Sequence, residues 1–88
     1  MTSNKPGPPR PTVRALELDG TINLYDSASQ QAAVLNGSAS DIWRLMDGER
    51  TVEEIVAVLA AAYRVDPDTI RPQVAHAVVD LAGFLASP

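Results

Sequence analysis

Apolar and polar residues alternate in the first third of this chain and recur at three- to four-residue spacing in the rest. Val13 to Leu18 reads as a strand, with Leu16 and Leu18 on one side and Arg14 and Glu17 interrupting the remainder. Asp19-Gly20 is a two-residue hairpin signal, because both residues tolerate the left-handed backbone that such turns require. Thr21 to Tyr25 returns as a second strand, with Ile22 and Leu24 on one face. Asp26-Ser27-Ala28-Ser29 is a loop-like cluster. Gln31 to Leu35 (QAAVL) completes a short third strand.

From there the period becomes helical. Asn36-Gly37-Ser38 opens helix one, with Ser38 and Asp41 approximating a capping box, and Ala39, Ile42, Leu45 and Met46 form its apolar stripe. Asp47-Gly48 ends it. Thr51 with Glu54 is a full capping box for helix two, whose Val52, Ile55, Val56, Leu59 and Tyr63 recur on one face. Asp66-Pro67 has the form of a cap and first helical position. Pro72 lacks the N–H that a helix interior needs. The pattern therefore predicts a short turn at 67–70 and a third helix from about Pro72 to Ala86.

Helix three carries more apolar surface than a small core needs. At about 100° per residue, Gln73, His76, Asp80, Gly83 and Ser87 form one narrow polar stripe. The large residues Val74, Val78, Leu81, Phe84 and Leu85 point to a core. Beside them Ala75, Val79, Ala82 and Ala86 make a smooth, small-sided face. A stripe a little over ~100° wide would suffice for packing on one side. The surplus suits a partner lying along the helix, a contact between two copies, or alanine serving as a helix former.

Composition narrows the rest. The 88 residues make one domain at 12–88, preceded by a proline-rich segment, 1–11, that holds four of the seven prolines and reads as a disordered, partly polyproline-II tail. From Thr12 onward five arginines face eleven acids, a net charge of −6. Such a body repels phosphate backbones and tolerates a basic or neutral peptide, or is simply soluble. No apolar run approaches the roughly 18 residues of a membrane span. Met1 to Pro11 has no apolar h-region, so a secretory signal is not expected. The absence of cysteine removes disulfides and thiolate sites and favours a cytoplasmic home.

Catalysis lacks its parts. His76 is the single histidine, with no cysteine or second histidine to share a metal. Ser27, Ser29 and Ser38 sit in turn and cap contexts, and Glu53, Glu54, Asp66 and Asp68 suit helix starts. The glycines form no phosphate-binding pattern. The expectation is a protein without catalytic residues, metal or cofactor.

The ordered set of motifs carries a resemblance. Val34-Leu35-Asn36 is followed by Ala39, Ile42 and Leu45, then Asp47-Gly48-Glu49-Arg50-Thr51-Val52-Glu53-Glu54-Ile55-Val56, then the repeat Val74, Val78, Leu81, Leu85. This arrangement, from Leu16 to Leu85, resembles the PqqD family. The resemblance implies an α+β, winged helix-turn-helix-like fold: a three-stranded antiparallel sheet followed by three helices. It also implies a RiPP recognition element, which binds the leader segment of a ribosomally made precursor peptide and delivers it to a modifying enzyme. Relatives of this kind serve radical-SAM maturases or lasso-peptide proteases and cyclases. In the family the leader adds as a strand to the third strand, in a groove against the third helix. Carried over, the strand positions are Gln31, Ala32, Ala33, Val34 and Leu35. The helix positions are Gln73, Ala75, His76, Val79 and Ala82. Two departures stand out: Gln73 occupies a position where many relatives carry an acid, and many relatives end with a Gly-aliphatic pair, whereas here Gly83 is followed by Phe84-Leu85-Ala86.

Two other classes remain open at this point. A winged-helix DNA-binding protein would use the same elements. A homodimeric adaptor would bury the alanine face of helix three. The expectation is a monomer or weak dimer with no nucleic-acid or membrane partner.

Overall fold

The alternation at the start of the chain closes into an antiparallel sheet, and the helical residues pack on one of its faces. The structure, a computed structural model, describes residues 5–35 and 37–85. Met1–Asn4, Asn36, Ala86, Ser87 and Pro88 lie outside the described residues, and with them the expected strand exit at Asn36 and last turn of helix three. The elements are β1 (Val13–Leu18), β2 (Thr21–Asp26), β3 (Gln31–Leu35), α1 (Ser38–Leu45), α2 (Val52–Tyr63), α3 (Pro67–Leu81) and a 3₁₀ turn (Ala82–Phe84). This is an α+β fold, a three-stranded antiparallel sheet in the order β1-β2-β3 followed by three helices.

The hairpin forms where the sequence places it. Asp19 and Gly20 have φ of 50° and 82°, the double left-handed geometry of a type I′ turn, and Leu18 pairs with Thr21. The register sets the faces. Glu17, Ile22 and Leu35 lie across from one another, as do Ala15, Leu24 and Ala33, on the side that meets the helices. Ile22, Leu24 and Leu35 join Ile42, Trp43, Met46, Ile55, Val56, Leu59, Ile70, Val74, Leu81 and Phe84 in the core. The other face, with Leu16, Leu18, Tyr25 and Val34, is left exposed.

Helix two begins as its cap demands. Thr51 Oγ1 accepts from Glu54 N–H at 3.1 Å, and Glu54 Oε1 accepts from Thr51 N–H at 2.8 Å. Thr51→Ala is expected to destabilise the domain by about 1 kcal/mol, read as a shift in the urea midpoint without a change in slope. Helix one differs from expectation. Its N-cap is Gly37 and makes no side-chain cap bond. Ser38 stands one position inside the helix, so no capping box forms. Ser40 Oγ instead donates to the Leu35 carbonyl at 2.9 Å, tying α1 back to β3. Tyr63, expected in the core of α2, is partly exposed. Its hydroxyl donates to the Asp41 carboxylate. That bond, with partial burial and the Asp41 charge, pushes the phenol up to about 12.

Two further expectations are corrected. Helix three does not wait for Pro72: α3 runs from Pro67 with Asp66 as N-cap, its side chain accepting from Asp68 N–H at 2.9 Å, and passes through Pro72. Pro72 forfeits one bond, to the carbonyl of Asp68, in the second turn. Burial of Ile70 before it and Val74 after it keeps the axis continuous. Arg71 pins the same turn to α2, its Nη2 lying 2.9 Å from Glu53 Oε1.

The second correction concerns residues 5–11, expected as part of a disordered tail, which lie along the body. Pro6 is buried and its carbonyl accepts from Gly48 N–H at 3.1 Å. Gly7 abuts the Met46 carbonyl so closely that no side chain would fit there. Pro9 pairs with Leu85, and Arg10 N–H donates to the Phe84 carbonyl at 3.0 Å. Arg10 then pairs with Asp26, whose side chain is 0% exposed. The physical reason is that prolines, pre-set for extended backbone, order a segment at little entropic cost once a buried carboxylate offers its arginine a partner.

Candidate functional site

Strand order leaves β3 with a neighbour on one side only, so its far side is a row of main-chain groups without a strand partner. Which groups point outward follows from the hairpin. A two-residue turn closes on a hydrogen-bonded pair, here Leu18 and Thr21, and such pairs then alternate with non-bonded ones along an antiparallel ladder. Ser27 N–H donating to Thr12 C=O at 3.3 Å keeps that alternation beyond the strand ends. Thr21, Asn23 and Tyr25 therefore direct their main chains at β1, and Ile22, Leu24 and Asp26 direct theirs at β3. Across the next register, Leu35, Ala33 and Gln31 answer them. Ala32 and Val34 are left with N–H and C=O groups facing the open edge. Val34 is 67% exposed, and its neighbour Ala32 is too small to shield the backbone.

The rim runs alongside α3. Gln31, at the start of β3, lies with its Oε1 3.0 Å from where a Cβ on Gly83 would stand. At the other end, Ser38 accepts a hydrogen bond from Gln73 Nε2. Strand and helix thus lie side by side in opposite directions, bracketed by two glutamines. Five strand residues reach about 16 Å, and the ten steps from Gln73 to Gly83 about 15 Å, so the two walls match in length. At the Gln73 end an open groove of about 280 Å³ separates α1 from α3, lined by Ser38, Ala39, Ile42, Gln73, His76, Ala77 and Asp80. His76 Nε2 stands 3.3 Å from Asp80 Oδ2, and both side chains are largely exposed.

The helix residues expected at the site divide in two. Gln73 and His76 line the groove. Ala75, Val79 and Ala82 do not: at about 100° per residue they fall on another flank of α3, facing solvent, with Val79 73% exposed. Ala77, Asp80, Ser38, Ala39 and Ile42 line the groove without having been expected there. The signal for Asp80 was present, since it shares the polar stripe with Gln73 and His76. Ser38 and Ala39 needed the topology. Among the described residues no group of three His, Asp or Glu side chains is placed to hold a metal ion, and no helix is long and apolar enough to cross a membrane. The site offers backbone donors and acceptors along the rim of β3 and, between α1 and α3, a groove lined by small apolar and polar side chains.

Comparison with known proteins gives a consistent picture. The family of coenzyme PQQ synthesis protein D (PqqD) matches residues 22–83. Two solved structures are similar over nearly the whole chain. One is TbiB1 in complex with the TbiA(beta) leader peptide, with 24% identity and a TM-score of 0.78, covering 91% of this chain and 95% of the other. The second is a lasso peptide synthetase B1 complexed with the leader peptide, with 25% identity and a TM-score of 0.72, covering 92% and 96%. None of the curated proteins matches the chain.

Proposed function

The chain belongs to the PqqD family, and from that premise we propose that it is a non-catalytic recognition protein. It takes up the leader segment of a ribosomally made precursor as a fourth strand on β3 and delivers it to a modifying enzyme in the cytoplasm. The observation that carries the reading is the open rim at Ala32 and Val34, with a groove between α1 and α3 near its end. Main-chain pairing along the rim supplies affinity, and the groove supplies selection among side chains. Leader complexes of two structurally similar B1 proteins support it. The enzyme served is a radical-SAM maturase or a lasso-peptide protease and cyclase. The acidic body gives a DNA-binding reading no support, since duplex affinity rests on phosphate neutralisation. The test is titration of the chain with labelled leader peptides from short precursor genes next to its own, followed by fluorescence anisotropy. Saturable binding at low micromolar concentration is expected. Absence of binding to every such leader at tens of micromolar would overturn the proposal.

A further inference from the structure

We infer that the peptide bound on this rim carries a lysine or arginine at the position that enters the groove between α1 and α3, and that Asp80 selects it. This deepens the leader-binding reading and rests on it. The groove has two unlike parts. Its floor is apolar and small, built from Ala39, Ile42 and Ala77. Its α3 wall carries Asp80 with His76 beside it, while the Gln73 amide is engaged with Ser38. No lysine or arginine is among the residues lining the groove. The acid of α1, Asp41, is already met by Arg44 Nη1 at 3.1 Å and by Tyr63. Asp80 has only His76.

Each class of incoming side chain fares differently. An aliphatic one satisfies the floor but strips water from the Asp80 carboxylate without replacing it. An acidic one is repelled by Asp80. A lysine or arginine satisfies both parts: its alkyl stem covers Ala39, Ile42 and Ala77, and its head exchanges His76 for the stronger partner at Asp80. The chain as a whole favours the same sign, with a net charge of −4.

The experiment is selection of displayed random ten-residue peptides on the full chain, on Asp80→Asn, on Asp80→Lys and on Glu49→Gln, which makes the same charge change as Asp80→Asn at an exposed site outside the groove. Only peptides that fail to bind Val34→Pro are counted, which restricts the pool to the rim. The expected wild-type pool has lysine or arginine enriched at one fixed position. That enrichment persists on Glu49→Gln, disappears on Asp80→Asn and turns to glutamate or aspartate on Asp80→Lys. Individual basic peptides are expected to bind Asp80→Asn about three- to tenfold more weakly, as for a charge pair at the edge of an interface. Asp80 is exposed, so its asparagine variant keeps the fold and decides the matter even if the lysine variant does not. A pool that depends on Val34 but has no basic position, or keeps it on Asp80→Asn, or loses it equally on Glu49→Gln, overturns this inference and leaves leader binding standing. If no peptide depends on Val34, both fall.

Discussion

Val34→Pro is expected to weaken capture of a cognate leader at least about tenfold while the domain stays folded. The substitution deletes a donor that faces the open edge, not one that serves the ladder to β2. A main-chain hydrogen bond is worth roughly 0.5–1.5 kcal/mol, and the proline ring also occupies the space a fourth strand needs about 4.8 Å away. Proline is tolerated on a strand edge for the same reason. Ala33→Pro is the informative counterpart. Its N–H points inward at Leu24, so the variant loses a ladder bond and lowers the melting temperature of the whole domain. Anisotropy titration and thermal melts of the two variants separate edge from ladder. Equal affinity for Val34→Pro and the unmodified chain would mean that the rim is not where peptide binds.

Asp26→Asn carries the largest expected cost in stability. The carboxylate is fully buried and surrounded by donors. Thr12 Oγ1 lies at 2.6 Å, Ser29 Oγ at 2.7 Å and Ala28 N–H at 3.1 Å, with the Arg10 guanidinium beside them. The hydrogen bonds from Thr12 and Ser29 chiefly, then that from Ala28 and the Arg10 charge, outweigh burial and hold the carboxyl at about 2. An asparagine amide cannot accept from all of them and presents donors where donors already point. The melting temperature is expected to fall by roughly 10 °C or more, the scale at which small domains lose a buried polar network. The sign with pH follows from the depressed value. The charged form is favoured in the folded state, so its contribution is complete above the ordinary carboxylate value of 3.8 and is lost as pH falls toward about 2. Other acids, including Asp47 and Glu54, titrate lower than usual for similar reasons. The difference between the unmodified chain and Asp26→Asn isolates Asp26: it should be constant from pH 7 to about 4 and shrink below that. A difference that grows on acidification would contradict the geometry.

Local chemistry made much of this fold legible. Asp19-Gly20 set the hairpin, the alternation of Ile22 and Leu24 set the buried face, and Thr51 with Glu54 set the start of α2. Each is a signal whose partners lie within a few residues. What escaped was non-local. Asp26 reads as the first residue of a polar loop, and Arg10 as one charge in a proline-rich tail. Sixteen residues separate them, and only the folded sheet brings them together. The cost of Pro72 is local and visible in the sequence, whereas the tertiary burial of Ile70 and Val74 that offsets it is not. The edge strand at Gln31 to Leu35 was placed correctly, but its small residues left open which backbone groups face out. The rotation of α3 depends on packing against α2, where Arg71 meets Glu53, and a wheel of alanines does not encode that. Hence Gln73 and His76 fell in the groove while Ala75, Val79 and Ala82 fell outside it.

The pairing of Pro9 with Leu85 and of Arg10 with Phe84 brings the first and last described segments to one corner of the molecule. That corner adjoins Asp26 and the Gln31–Gly83 mouth of the slot. Cargo tethered after Leu85 is therefore held over that mouth, whereas the start of the chain runs away from it, with Pro6 meeting Gly48. A catalytic unit joined through a short linker would meet an emerging peptide at millimolar effective concentration, whereas a bulky purification handle attached without a spacer would act as a stopper.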